Sequence, residues 1–189
     1  MRRSFGLTLL EFLVTLAILA VLATVAVPSF RASLERQRIS AALFLLSAQF
    51  ASARMTAISS RDVVTLCPLE GVANCRSDSD WSAGWLMFRG RRRSAQPEED
   101  DTILRVVSRP VHASLQLQSS QGRRALHFLP DGRSSGSNLR VRVCLEGRLR
   151  GEVVVNNLGR VRSRRLPGCR STTSCDASRP STARRRCST

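Results

Sequence analysis

An arginine-rich segment near the C-terminus is the part of this sequence best suited to bind an anion. A glycine at position 159 permits a turn, and alternation along the extended chain that follows would place Arg160, Arg162 and Arg164 on one side. Arginine suits phosphate because its planar guanidinium donates two parallel hydrogen bonds and cannot be neutralised by deprotonation. We therefore predict salt-dependent phosphate binding by one basic patch. Its residues are Gly159, Arg160, Arg162, Arg164, Arg165, Arg140 and Arg142.

Two other interpretations of these arginines stay open. All 30 basic residues of the 189-residue chain are arginine, which a GC-rich coding bias can produce, so the net charge of +16 is only partly a functional clue. An arginine-rich solvated strand, or a basic surface that packs on acidic subunits, explains the same pattern. Few aromatic residues lie among the arginines, so stacking on single-stranded bases is not supported.

The cysteines could form disulfides or hold a metal. No C-x-x-C spacing occurs and neither histidine lies near a cysteine, so no metal site is predicted. Six thiols allow many connectivities. We expect Cys67 to pair with Cys75, closing a small loop, and Cys144 to pair with Cys169, attaching the last strands to the segment that follows. Cys175 and Cys187 are left either as a further pair or as free thiols.

The sequence offers no recognisable catalytic constellation. No serine lies in a G-x-S-x-G turn, and no Walker-type or dinucleotide-binding loop occurs. His112 and His127 stand isolated among residues expected to form strands. We expect a protein that is not an enzyme, with no catalytic residue, cofactor or metal.

The first element that must position these residues is an apolar run near the N-terminus. The stretch from Leu7 to Val27 would form a helix about 30 Å long, enough to cross a hydrocarbon core. Glu11 lies inside this stretch, where a carboxylate is costly in lipid and is expected to seek a cationic partner. A secretory signal peptide is less favoured, because no A-x-A cleavage site follows and Val27-Pro28 leads directly into another helical pattern.

The N-terminus resembles the class III signal of type IV pilins and type II secretion pseudopilins. The match is Arg2-Arg3-Ser4-Phe5-Gly6 followed by Leu7-Thr8-Leu9-Leu10-Glu11, with Leu7 where the family usually has phenylalanine, and Pro28 matches as well. The resemblance implies that a prepilin peptidase cleaves after Gly6 and methylates the amino group of Leu7. It also implies that Glu11 neutralises the terminal amine of a neighbouring subunit during filament assembly.

The region after Pro28 predicts a continued helix and then a strand-rich head. Apolar residues recur at helical spacing to about Ser59, at Ile39, Leu43, Leu46, Phe50, Ala53, Ala57 and Ile58. About seven short runs then predict strands, which makes an α+β arrangement. These runs are Val63–Cys67, Gly84–Phe88, Ile103–Val107, Ala113–Gln118, Ala125–Leu129, Leu139–Leu145 and Gly151–Val155.

The head is similar to that of the FimT/GspH branch of minor pilins and pseudopilins. The similarity lies in Cys67, Cys75, and the segments 81–88, 103–106 and 128–132. It implies a type IV pilin-like fold, with a long N-terminal helix, membrane-spanning in its first half, packed on an antiparallel β-sheet head. Gly159-Arg160-Val161-Arg162 resembles the G-R-x-R motif of FimT-like minor pilins, which implies binding of incoming DNA without sequence specificity.

These features predict four segments and two candidate functions. Residues 1–6 would be a leader peptide, 7–28 a transmembrane and assembly helix, 29–168 a periplasmic head, and 169–189 a disordered tail rich in arginine, serine and threonine. The favoured function is that of a FimT-like minor pilin that helps pilus assembly and binds duplex DNA for natural transformation. The alternative is a GspH-like pseudopilin of type II secretion, structural and without DNA binding. Both place the chain in the bacterial inner membrane, with prepilin peptidase and other pilins or pseudopilins as partners.

Overall fold

The computed structural model of the chain describes residues 9–91, 93–120 and 122–166. Within them one helix precedes nine strands, all paired antiparallel. The elements are α1 (Leu9–Ser60), β1 (Val63–Glu70), β2 (Asn74–Cys75), β3 (Gly84–Gly90), β4 (Thr102–Ser108), β5 (Leu115–Ser119), β6 (Leu126–Phe128), β7 (Leu139–Leu145), β8 (Arg148–Val155) and β9 (Val161–Arg165). The chain divides between Gln37 and Arg38 into two compact units.

The first unit contains the apolar part of α1. An 18-residue window of this helix is apolar enough to cross a membrane, and none of that window is buried in the structure. The hydroxyl groups of Thr15 and Thr24 donate to the carbonyls of Phe12 and Val21, so they need no partner outside the helix. Pro28 lies inside α1, although it removes one backbone hydrogen bond.

The second unit begins with the part of α1 that covers the sheets. The apolar stripe predicted from the sequence is buried at Ile39, Leu43, Leu46, Phe50, Ala53 and Ala57, whereas Ile58 is partly exposed. Phe50 meets Trp81 edge to face, with ring centroids 5.9 Å apart. This stripe therefore attaches the helix to the sheet layer, as its 3.6-residue period predicts.

Two antiparallel sheets share one core under this helix. The first has the order β2-β1-β3-β4, with β6 also paired to β1, and the second has the order β5-β7-β8-β9. Val64 and Leu66 of the first sheet and Val141 and Val153 of the second belong to the same buried cluster as the α1 stripe. The expectation of a long N-terminal helix packed on antiparallel β-structure is confirmed.

Two strands lie outside the seven runs that predict strands, although an extended chain was expected after Gly159. β2 has only two residues and is held by side chains: Cys75 forms a disulfide with Cys67, with Cα atoms 5.5 Å apart, and the Gln96 amide bonds to both the backbone N–H and carbonyl of Cys75. β9 is an edge strand with a single apolar residue, Val161, so it lacks the apolar alternation that reveals a half-buried strand.

Candidate nucleic-acid interface

The arginines of the predicted patch are brought together by the register of β7, β8 and β9. Val154 of β8 lies between Arg140 and Arg162, and Glu152 lies between Arg142 and Arg164. Alternate residues of these strands, such as Val141 and Val153, are buried under α1. Because side chains alternate between the two faces of a strand, the four arginines share the outer face of this sheet. We call Arg140, Arg142, Arg162 and Arg164 the arginine face.

A single buried carboxylate stands among these arginines. The side chain of Glu152 is only 7% exposed, and it accepts one hydrogen bond from Arg140 Nη1 at 3.1 Å and another from Arg164 Nη2 at 2.8 Å. Both arginine side chains remain about half exposed, at 43% and 54%. Each guanidinium has five N–H donors, so some donors stay free, but Glu152 competes with any phosphate for both arginines.

The remaining cations of this surface have no such partner among the described residues. Arg142, Arg162 and Arg160 form no ion pair with any residue that the structure describes. Arg160 precedes β9 and is tied through its backbone, with its N–H donating to Asn156 Oδ1 and its carbonyl accepting from Asn156 N–H. These three side chains supply positive charge that no carboxylate of the described residues offsets at hydrogen-bonding distance.

Gly159 has a structural requirement of its own. It closes the turn between β8 and β9 with φ +73°, and its N–H donates to the Asn156 carbonyl at 2.8 Å. A Cβ at this position would overlap the carbonyl oxygen of Gly132, which already accepts a hydrogen bond from Arg54 Nε. The glycine that precedes the two arginines is therefore needed for both its backbone conformation and its close packing.

Arg165 is separated from the other predicted residues. It pairs with Gly151, on the face that packs against α1, and its Nη1 donates to Ser40 Oγ at 2.8 Å. Gly151 lies directly against Leu43 of the helix, which explains why no larger residue stands there. The alternation that gathers Arg160, Arg162 and Arg164 thus directs Arg165 to the opposite side of the sheet.

Several predicted residues lie elsewhere or outside the described residues. Glu11 lies in α1, two residues after the first described residue, and is exposed. Gly6, Leu7 and Cys169 lie outside the described residues, so the cleavage site and the Cys144–Cys169 pairing stay predictions. Cys144 itself is buried on β7.

A second exposed surface follows the α1 helix within the second unit. Exposed apolar residues recur every three or four positions on the side that does not cover the sheets. They are Ala41, Phe44, Ala48, Ala51 and Met55. Phe44 is 77% exposed, which is unusual for a phenylalanine beside a well-packed core. We call these residues the exposed apolar face of α1, which is distinct from the buried stripe.

The histidines and carboxylates form no competing chemical site in the part of the chain that the structure describes. No group of three or more His, Cys, Asp or Glu side chains there is placed to hold a metal ion. His127 bonds through Nδ1 to Thr65 Oγ1 at 2.9 Å, and burial, with the charges of Arg123 and Arg93, lowers the pKa of His127 to about 4. It is therefore neutral at physiological pH and adds no positive charge.

Glu152 is the residue of this surface that sequence reasoning missed. Its signal was a lone acid in an apolar strand after a two-residue turn at Glu146 and Gly147. The arginine partners of Glu152 could not be assigned from the sequence, because the register between β7 and β8 shifts next to Val143. Only the folded register places this carboxylate between Arg142 and Arg164.

Comparison with known proteins identifies the family. The family described as type II transport protein GspH matches residues 45–159, more than half of the chain, and a prokaryotic N-terminal methylation motif matches residues 1–27. Two crystal structures of the type IV minor pilin FimU from Pseudomonas aeruginosa have the same fold, with TM-scores of 0.54 and 0.57 at 18% and 20% identity. They cover 72% and 75% of this chain, and 98% and 97% of their own. No curated protein sequence gives a significant match.

The family match ends at Gly159, so Arg160 and β9 lie beyond it. The match does include the last part of α1, from residue 45, and strands β1 to β8. With a methylation motif at its N-terminus and one long helix packed on antiparallel sheets, this chain belongs to the FimT/GspH family of type IV minor pilins and type II pseudopilins.

Proposed function

We propose that this protein is a FimT-like minor pilin that is inserted into the bacterial inner membrane, assembles into a type IV pilus, and binds duplex DNA for uptake during natural transformation. The observation that carries the DNA-binding part is the arginine face together with Arg160. Five cations meet on one surface, and Glu152 is their single carboxylate partner among the described residues.

The composition of this surface favours contact with the phosphate backbone. Its outward residues are arginines separated by Val154 and Glu152, with no aromatic side chain on which a base could stack. We expect these arginines to contact phosphates and not base edges, so the affinity should depend on salt and not on sequence. Duplex DNA is the polyanion that best matches several cations fixed in one plane, because its phosphates are themselves held in a rigid array.

The assembly part of the proposal rests on α1. Its first part is apolar and unburied, as a segment that moves from the membrane into a filament must be. The exposed apolar face of α1 offers a surface for a neighbouring subunit. Cleavage after Gly6 would create an amino group at Leu7, and Glu11 of an adjacent subunit is proposed to neutralise it.

A salt series of DNA binding tests the proposed function. Full-length protein in detergent micelles would be titrated with a fluorescent duplex between about 50 and 200 mM salt. Each phosphate contact contributes about −0.9 to the slope of log K against log salt, so Arg160→Ala/Arg162→Ala should flatten the slope by about 1.8.

The matched control is Arg105→Ala/Arg124→Ala, which removes two exposed arginines outside the second sheet. Absence of binding by the wild type, or an equal effect of both double variants, would contradict the proposal.

A GspH-like pseudopilin of type II secretion is the second candidate, favoured by the family match over residues 45–159. It predicts that the arginine face contacts other subunits and not DNA. A chromosomal Arg160→Ala/Arg162→Ala variant separates the two. Loss of DNA uptake with protein secretion intact supports the minor pilin, and loss of secretion alone supports the pseudopilin.

A further inference from the structure

Two neighbouring turns are joined by a hydrogen bond at the end of the second sheet where β8 leads into β9. The first runs from Leu129 to Ser134 and the second from Asn156 to Arg160. Ser134 N–H donates to the Asn157 carbonyl at 3.0 Å, which links the two turns directly. Gly159 of the second turn packs against the Gly132 carbonyl of the first. We call these segments the paired turns.

The first of the paired turns presents an arginine that lies outside the G-R-x-R motif. Arg133 is exposed and forms no ion pair with a described residue. Its backbone is fixed on both sides, since its N–H donates to Asp131 Oδ1 at 2.9 Å and its carbonyl accepts from Leu129 N–H at 2.8 Å. A cation on a fixed backbone loses little conformational entropy in the main chain when it binds.

The second of the paired turns presents an apolar side chain. Leu158 is 57% exposed at the tip of the β8–β9 turn, two residues before Arg160. Residues on both sides of Leu158 are held, because the Asn157 carbonyl accepts from Ser134 and Gly159 N–H donates to Asn156. This exposure is thus imposed by the turn. Because Ser134 N–H bonds to the Asn157 carbonyl, the exposed Leu158 and the exposed Arg133 lie on adjoining turns.

We propose that the paired turns extend the DNA-contacting surface beyond β9, with Arg133 binding a phosphate and Leu158 contacting the sugar edge of a groove. This inference rests on the proposed function. A duplex presents apolar sugar atoms beside its phosphates. The paired turns likewise carry an exposed apolar side chain, Leu158, on the turn that adjoins the one with the exposed Arg133, and Arg160 follows two residues after Leu158. Asp131 is the carboxylate of the first turn, and its charge opposes binding while its Oδ1 holds the turn.

The three residues make different predictions in the same salt series with full-length protein in detergent micelles. Arg133→Ala should flatten the slope by about 0.9, and Arg133→Lys should restore it because it keeps the charge. Leu158→Ala should lower affinity several-fold at every salt concentration with the slope unchanged, because it removes no charge. Asp131→Asn keeps an oxygen acceptor for the Arg133 N–H and should raise the affinity.

The outcomes separate this inference from the proposed function. If the wild type binds no DNA, both are wrong. If the wild type binds and Arg160→Ala/Arg162→Ala weakens binding, but Arg133→Ala and Leu158→Ala match the wild type, the proposed function stands and the paired turns are not part of the site. If Leu158→Ala binds DNA normally but loses binding to other pilin subunits, the paired turns serve assembly, and the proposal is overturned. Thermal unfolding of each variant establishes that it is folded.

Discussion

Replacing Glu152 by glutamine should make DNA binding tighter at low salt and more sensitive to salt. In the wild type one carboxylate oxygen accepts from Arg140 and the other from Arg164. A glutamine has a single acceptor oxygen, and its NH2 group cannot accept a hydrogen bond from a guanidinium. The variant therefore releases at least one of these arginines and removes the negative charge that attracts both.

The size of the effect follows from the number of arginines released. One or two additional phosphate contacts make the slope of log K against log salt steeper by about 0.9 to 1.8. Across a fourfold rise in salt, each additional contact lowers the affinity by a further factor of about 3.5 relative to the wild type. Protein stability should change little, by about 1 kcal/mol or less per ion pair, because both arginine side chains are about half exposed.

The assay is fluorescence anisotropy with a labelled duplex at several salt concentrations, with Asp62→Asn as the control. Asp62 pairs with Arg89 at 3.7 Å outside the second sheet, so the control makes the same change in net charge away from the arginine face. A weaker affinity of Glu152→Gln at low salt would refute this reasoning. It would mean that Glu152 orients Arg140 and Arg164 for phosphate and does not compete with it.

Three further predictions concern stability. Gly159→Ala should lower the free energy of unfolding by about 2–4 kcal/mol. Gly147 has φ +72° and open space around it, so Gly147→Ala should lower it by only about 1 kcal/mol. Equal losses for the two variants in chemical denaturation would contradict the close-packing argument. Removing the Cys67–Cys75 disulfide by double alanine substitution should lower the free energy of unfolding by about 2–3 kcal/mol. An unchanged denaturation midpoint under non-reducing conditions would contradict a stabilising role of this disulfide.

The third concerns pH. The pKa of His127 is about 4 in the folded protein, below its ordinary value. The contribution of neutral His127 to folding stability is therefore complete above about pH 6.5 and is lost as the pH falls towards 4. The melting temperature should fall between pH 7 and 5, and His127→Gln should show a smaller fall; identical pH profiles would remove His127 as the cause.

The fold was largely predictable because its core elements carry their period in the sequence. The buried stripe of α1 follows helical spacing, and β7 alternates between buried apolar residues and outward arginines. β2 and β9 were not among the predicted strand runs because neither depends on apolar alternation, and only an extended chain was expected at β9. β2 is held by a disulfide and by Gln96, and β9 is held by backbone pairing at a sheet edge.

The candidate site was predictable in composition but not in arrangement. The β7–β8 turn alone would pair Arg142 with Gly151, because Leu145 pairs with Arg148 and Cys144 with Leu149. A bulge at Arg150 shifts the register, so that Arg142 instead lies opposite Glu152. A single inserted residue in a strand is not visible in a pattern of apolar and polar residues, and its consequence is to move every later side chain to the other face.

This shift brings the arginines of β7 to the same face as those of β9, and the position of β8 between these two strands limits the repulsion among them. Like charges directly opposite each other on neighbouring strands destabilise a sheet. With the observed register, β8 separates the arginines of β7 from those of β9, with Glu152 between Arg142 and Arg164 and Val154 between Arg140 and Arg162. No two arginines of the arginine face are therefore direct neighbours across a strand pair. The repulsion that would otherwise weaken the edge strand is reduced, and the cations stay close enough to act together on one polyanion.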